Sequence, residues 1–232
     1  MREKYVIIVA GGSGSRMNSD LPKQFLLLGN KPVLMHTIER FSASSSNPKI
    51  IVVLNESMRS YWEALCLNHN FAIPHTIIHG GKSRFQSVKN GLQEIFKIET
   101  NRLEEVGVAI HDAARPLIST KLIDECFLAL REHSANIVAV QSTNSVRIGV
   151  PSKSESIDRD QVWIVQTPQT FNARLLNDAF MQPEHASFTD DASVVEKLGY
   201  PIHIIKGDHK NIKITFEDDL KIAQMYLQLL QT

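Results

Sequence analysis

The sequence predicts an α/β fold: a mostly parallel, twisted sheet with helices on both faces. Two observations predict it. Short β-branched apolar runs alternate with amphipathic helical periodicity along most of the chain. The runs are also continuously apolar, as suits strands buried on both faces. A length of 232 residues accommodates one such domain with a small appendage.

The elements follow in order. "YVIIVA" (5–10), "KIIVVL" (49–54), "HTIIHG" (75–80), "VGVAIHD" (106–112) and "NIVAVQ" (136–141) read as strands. The first helix begins near Pro32. In "SRFQSVKNGLQEIFK", Phe85, Val88, Leu92, Ile95 and Phe96 share one helical face, and Ser83 stands where an N-cap belongs. "STKLIDECFLALREH" turns Leu122, Ile123, Cys126, Phe127 and Leu130 inward in the same way. The pattern breaks over 142–162, which is polar and poor in core residues. "SVRIG" and "ESIDR" within it suit a hairpin too weakly apolar to stand alone, so it is either a loop or an arm packed on something else. "VWIVQTPQTF" resumes the core. A helix from Asn172, another across "TDDASVVEKLG", a strand "PIHIIKG" and a last helix from Phe216 complete the chain. Thr215 with Asp218 resembles a capping box for that last helix.

Composition excludes several classes. The formal net charge is zero, so no global field draws in nucleic acid or an anionic membrane. No stretch has transmembrane length, and "YVIIVA" is too short for a signal core. Cys66 and Cys126 form no CxxC pair and read as buried free thiols, consistent with a cytoplasmic protein.

Ligands of such sheets bind beyond the carboxyl ends of the strands. The first of these loops reads "AGGSGSRMNSDLPKQ". It lacks the Gly-Lys-Ser/Thr of a P-loop. Gly12 and Gly14 match two glycines of a dinucleotide fingerprint, but Met17 stands where the third belongs, and the second strand ends too late to supply the ribose-binding acid. What remains is a long loop whose backbone N–H groups wrap phosphates. Gly11, Gly12 and Gly14 permit φ > 0 and close approach, and Arg16 and Lys23 add charge. The competing reading is a surface loop with two solvated cations.

Further polar clusters, "GGKSRFQS", "HDAARP", "QTPQTF", "FTDDAS" and "DHKNIKIT", all fall at loops after strands or at helix starts. Asp112 would project from a strand end. A lone carboxylate beside phosphates suits Mg²⁺, and a helix or turn cap is the alternative. Arg115 could pair with Asp112 or bind a phosphate. His111 reads as strand-end packing, because no second ligand stands at i+2 or i+4.

Taken together, "AGGSGSRM…PKQF", "GG..R..SV", "HDAARP", "DR…W…QTPQ.F", "TDDAS" and "NIKIT..DDL" resemble the 2-C-methyl-D-erythritol 4-phosphate cytidylyltransferases of the non-mevalonate isoprenoid pathway. The resemblance spans nearly the whole chain. It implies a Rossmann-like nucleotidyltransferase core, residues 1–232 as a single domain, with 142–162 a protruding β-arm that forms a homodimer. It also implies CTP and the polyol phosphate as substrates, and Mg²⁺ or another divalent cation. By the same resemblance Ala10, Gly11, Gly12, Ser13 and Gly14 form the CTP loop, and Arg16, Lys23 and Lys213 are the catalytic cations. Gly80, Gly81, Arg84 and Ser87 contact cytidine. Asp112 binds metal and substrate, and Arg115, Ser145, Arg159, Thr167 and Thr189 contact the methylerythritol phosphate. Ser145 stands where the family commonly has Thr. Ribitol-5-phosphate cytidylyltransferases share several of these motifs. Ala114, the Arg159…Trp163 spacing and "TDDAS" lean toward the methylerythritol enzymes. A nicotinamide-dependent oxidoreductase would need the missing third glycine and acid.

Overall fold

The computed structural model describes residues 1–12 and 21–229. In chain order they form β1 (Glu3–Ala10), β2 (Leu27–Leu28), β3 (Lys31–Pro32), α1 (Val33–Ser42), β4 (Lys49–Leu54), α2 (Arg59–Asn68), β5 (Thr76–His79), α3 (Arg84–Ile98) and β6 (Val106–Asp112). There follow α4 (Thr120–Ala129), β7 (Ala135–Gln141), β8 (Val146–Val150), β9 (Lys153–Ile157), β10 (Trp163–Asn172), α5 (Ala173–Phe180), α6 (Asp191–Glu196), β11 (His203–Lys206) and α7 (Glu217–Leu229).

The central seven-stranded sheet has the order β11-β7-β10-β6-β1-β4-β5. Only β10 runs antiparallel to its neighbours β6 and β7. Side chains alternate across the sheet, as the period of a strand requires. Tyr5, Ile7, Ile51, Val53, Val108 and Ile110 meet α3, α5 and α6 on one face. Val6, Ile8, Ile50, Val52 and Ala109 meet α1 and α4 on the other. The inward faces read for α3 and α4 are buried, except that Phe96 is half-buried, and Ser83 Oγ accepts from Gln86 N–H at 3.1 Å as the cap of α3.

Chain order places β4 and β5 on one side of β1 and β6 on the other. The strand order therefore reverses between β1 and β6, and such a switch opens a crevice at the strands' carboxyl ends. Both loops that flank it, 10–12 and 112–115, carry the motifs read above.

Two expectations are corrected. Thr215 and Asp218 do not form a capping box. Asp219 Oδ2 accepts from the N–H groups of both Thr215 and Phe216 at 2.8 Å, while the Thr215 hydroxyl donates to the Lys213 carbonyl and Asp218 turns outward to Lys221. One carboxylate a residue further along satisfies two helix-start donors, which leaves the Thr215 hydroxyl free to fix the loop before it. In the second correction, neither Gly11 nor Gly12 uses positive φ, which among the described glycines occurs at Gly29, Gly149 and Gly199. A Cβ on Gly12 would meet nothing within 4 Å, so glycine there leaves the backbone bare rather than supplying a left-handed turn. Gly14 lies outside the described residues.

The arm is a separate two-stranded antiparallel sheet, β8 with β9, pairing Val146 with Ile157 through Val150 with Lys153. No residue from 142 to 162 is buried. Arg159 lies in the turn after β9 rather than in the strand, because the Asp158 side chain caps that turn by accepting from Asp160 N–H.

Candidate active site

A cavity of about 380 Å³ opens at the β1/β6 switch. Its walls come from five parts of the chain. Ala10 ends β1, Gly11 and Gly12 follow it, and Lys23 and Gln24 lie further along. Gly81 belongs to the turn into α3, and Arg84 and Ser87 to the first turns of α3 itself. Asp112 ends β6, and Lys213 comes from the segment before α7. The structure thus gathers Ala10, Gly11, Gly12, Lys23, Gly81, Arg84, Ser87, Asp112 and Lys213 as the motifs implied. Ser13, Gly14 and Arg16 lie outside the described residues.

The glycine turn into α3 is sterically specified. A Cβ on Gly81 would fall 2.3 Å from Gln86 Cβ, closer than any side chain tolerates. Gly81 N–H donates to Ser87 Oγ at 3.1 Å, and Ser87 Oγ donates to the Ser83 carbonyl at 2.8 Å. Gly80 N–H donates to the carbonyl of Leu54 at the end of β4, which seats the turn on the sheet. Gly80 itself does not line the cavity.

Asp112 is the electrostatic centre. It is buried, yet its Oδ1 accepts from Arg84 Nη1 at 2.8 Å, and its Oδ2 lies 2.9 Å from Lys213 Nζ and 3.3 Å from Arg115 Nε. Burial opposes its charge. Arg84, Lys213 and Arg115 outweigh that and hold the carboxyl well below the usual range. Arg84 also reaches Asp191 Oδ2 at 2.6 Å. Burial opposes the Arg84 charge too, but Asp191 and Asp112 push its pKa up. Three cations thus face two carboxylates, with Lys23 on the same cavity.

Behind Asp112 a hydrogen-bonded row fixes it. The pairing of β10 with β7 shifts register between Val165 and Gln169, which leaves Gln166, Thr167 and Pro168 outside the ladder. That brings Thr167 Oγ1 under Asp112 N–H at 3.0 Å and against His111 Nδ1 at 3.1 Å. His111 Nε2 lies 3.1 Å from the Arg115 carbonyl. Burial pushes the His111 pKa down to about 4, so this imidazole is neutral. The row is consistent with one tautomer: Nε2–H donates to Arg115, and Nδ1 accepts from the Thr167 hydroxyl. His111 packs at a strand end, as read. Thr167 is likewise buried behind the cavity and does not line it. Arg115 Nη1 donates to the Asn211 carbonyl, and Ile214 N–H to Ala114, which ties the Lys213 segment to the end of β6.

Ser145, Arg159 and Thr189 are exposed and do not line this cavity in the single chain. Arg159 instead lines a second cavity of about 410 Å³ at the base of the arm, with Lys206 and His209. Among the described residues no group of three or more His, Cys, Asp or Glu gathers that could hold a metal ion. A divalent ion at Asp112 would draw its remaining oxygens from phosphates and water, which is how Mg²⁺ commonly binds.

Reading the sequence missed Gln24 and Asp191. Gln24 is buried, and its Nε2 donates to the Ala10 carbonyl at 2.6 Å, pinning the root of the phosphate-loop candidate. Its place beside Lys23 in "PKQF" was the available signal. Asp191 lies in the "TDDAS" motif, but its role was not readable locally, because its partner Arg84 is 107 residues away.

A family model described as 2-C-methyl-D-erythritol 4-phosphate cytidylyltransferase matches residues 5–229. A protein of that name from Bacteroides thetaiotaomicron is 44% identical over 222 residues, covering 96% of this chain and 98% of that one. Another from Azobacteroides pseudotrichonymphae is 46% identical over 226 residues, covering 97% and 98%. The crystal structure of 4-diphosphocytidyl-2C-methyl-D-erythritol synthase from Anaerococcus prevotii superposes with a TM-score of 0.81 at 27% identity, covering 98% of this chain and 96% of that one.

Proposed function

Because the chain belongs to the 2-C-methyl-D-erythritol 4-phosphate cytidylyltransferase family, we propose that the cavity between β1 and β6 is where its two substrates are joined. The protein is a nucleotidyltransferase that converts CTP and 2-C-methyl-D-erythritol 4-phosphate to 4-diphosphocytidyl-2-C-methyl-D-erythritol and pyrophosphate, in isoprenoid precursor synthesis. The observation that carries the site is the convergence of Gly11, Gly12, Lys23, Arg84, Asp112 and Lys213 on one cavity at the sheet's switch point.

The chemistry follows from the charges. The attacking phosphomonoester has a second pKa of about 6, so it is anionic near neutrality without a general base. His111 is neutral, buried and fully engaged, and it takes no part as one. The barrier lies in bringing two polyanions together and stabilising charge on the transferring phosphoryl group. The bare backbone of Gly11 and Gly12 accepts the triphosphate. Lys23 and Arg16 neutralise the reacting phosphates, and Lys213 stands beside the α-phosphorus. Gly80, Gly81, Arg84 and Ser87 shape the cytidine side. Asp112 and Arg115 are assigned to the incoming polyol phosphate, Arg115 from outside the cavity lining where Asp112 and the Asn211 carbonyl hold it, while Thr167 supports Asp112 from behind. Among the described residues Asp112, whose oxygens are held by Arg84, Lys213 and Arg115, is the cavity carboxylate that would offer a Mg²⁺ ion a ligand, and such an ion would add charge neutralisation on the phosphates.

The chain is a single domain whose 142–162 arm mediates homodimerisation. Two features support this. The arm has no buried residue of its own, and it exposes Ile148 and Val150 close in sequence to the exposed Trp163, Ile164 and Val165 of β10. In the dimer, Ser145, Arg159 and Thr189 serve the methylerythritol phosphate, with Arg159 reaching the partner's cavity. Residence in the cytoplasm is supported by two unpaired thiols, and among the described residues no helix is long and apolar enough to cross a membrane.

The test supplies CTP and Mg²⁺ with either methylerythritol phosphate or ribitol 5-phosphate and measures pyrophosphate release. Release with the first alone supports the reading. Preference for ribitol 5-phosphate would overturn it.

A further inference from the structure

Asp191 is a buried carboxylate that does not line the cavity, yet it holds a cation that does. It opens α6, and its backbone is bracketed on both sides. Asp190 caps the helix by accepting from Ser193 N–H at 2.9 Å and also accepts from Gln169 Nε2 at 2.8 Å. Gln169 Oε1 in turn accepts from Ala192 N–H at 2.9 Å. This fixes Asp191 Oδ2 against Arg84 Nη2 at 2.6 Å, while Arg84 Nη1 meets Asp112 Oδ1 at 2.8 Å.

A guanidinium prefers to grip one carboxylate with two parallel N–H bonds. Here its two ends are shared between two carboxylates. The consequence lies on the other oxygen of Asp112, where Lys213 sits 2.9 Å away at the cavity wall. Burial of a carboxylate is costly, and burial does push the Asp191 carboxyl up despite Arg84.

We infer that Asp191 is a positioning residue: by holding one end of Arg84, it keeps Arg84 from chelating Asp112 and so leaves Asp112 Oδ2 to hold Lys213 at the reacting phosphates. The inference rests on the placement of Arg84, Asp112 and Lys213 in the nucleotide site. Without the charge at 191, the Arg84 fork turns onto both oxygens of Asp112 and Lys213 loses its anchor. Chemistry then suffers more than nucleotide binding, because the cavity walls remain.

The experiment compares wild type, Asp191→Asn, Asp191→Glu, Lys213→Ala and the Asp191→Asn/Lys213→Ala double variant, each checked for a cooperative melt. Asp191→Asn is expected to lower kcat about tenfold or more with KM for CTP within about threefold, and Asp191→Glu to restore most of the loss. In the Lys213→Ala background, Asp191→Asn should change kcat little, because its effect passes through Lys213. Normal kcat in folded Asp191→Asn overturns the inference, as do losses that multiply in the double variant. If Asp191→Asn does not fold, Asp191→Ser removes the same charge with a smaller side chain and leaves Arg84 intact. It is expected to reproduce the kcat loss with KM for CTP within about threefold, and a normal kcat there overturns the inference equally. Wild type that releases no pyrophosphate from CTP and methylerythritol phosphate would instead refute the assigned reaction.

Discussion

Lys213 Nζ lies 2.9 Å from Asp112 Oδ2, joining a segment near the end of the chain to the carboxyl end of β6. Arg84 and Arg115 crowd the same carboxylate. Asp112→Asn keeps the size of the side chain and removes the charge that all three cations share. Taking one partner from a buried ion cluster typically costs about 3–5 kcal/mol. Asp112→Asn is therefore expected to lower the unfolding free energy by several kcal/mol, and to lower kcat about a hundredfold or more if Asp112 organises the reacting phosphates. Denaturant melts and steady-state kinetics check both. A variant with wild-type stability would mean that the cations are screened by solvent.

Lys23 makes a different case. It is only partly buried and reaches the cavity beside Gln24. Its partial exposure lets solvent screen the change, so stability should move less than in Asp112→Asn. Turnover should fall by roughly 3 kcal/mol of barrier, as for one lost oxyanion donor. Near-normal kcat in a well-folded Lys23→Ala protein would remove Lys23 from the reaction.

The sheet was legible because its strands announce themselves. "VGVAIHD" is fully buried from Val106 to Asp112, and only a strand covered on both faces tolerates such a run. The cavity was legible because motifs after strands must meet at the carboxyl edge. What escaped was the choice among adjacent equivalents and the pairing of distant ones. Asp218 and Asp219 look alike in sequence, and only the path of the chain before α7 decides that Asp219 reaches back. Thr167 sits in a motif at the site, but the register shift in β10 turns its hydroxyl toward the Asp112 backbone, which no local pattern reveals. Asp191 needed Arg84 from the far side of the chain.

The arm yields a prediction that separates subunits. Arg159 stands with Lys206 and His209, apart from the cavity that holds Lys23. If it serves the partner's cavity, Arg159→Ala and Lys23→Ala each disable a site, but a hybrid dimer rebuilds one intact site from two defective chains. Mixing the two inactive proteins under conditions of verified subunit exchange should restore activity, approaching a quarter of wild type for random exchange with one competent site per hybrid. Mixtures that stay inactive would place Arg159 in the site of its own chain.

His111 gives the pH dependence. Its pKa is about 4 in the fold, because burial disfavours the imidazolium, against about 6.5 when unfolded. Between those values the unfolded chain binds a proton that the folded chain refuses. Stability contributed by this site is therefore present above pH 6.5 and is lost as pH falls toward 4, to a total of about 3 kcal/mol. Burial shifts His36 and His203 in the same direction, so the raw acid limb is not specific to His111. Asp112 adds its own loss only at lower pH, since its carboxyl is held below the usual range. Comparison with His111→Gln isolates the site, because both proteins keep every other group. Urea melts from pH 7.5 to 4 should show the wild type losing stability more steeply than His111→Gln across that window. Parallel curves would mean that His111 takes up its proton inside the fold, and the Thr167–His111–Arg115 row would then be no fixed support for Asp112.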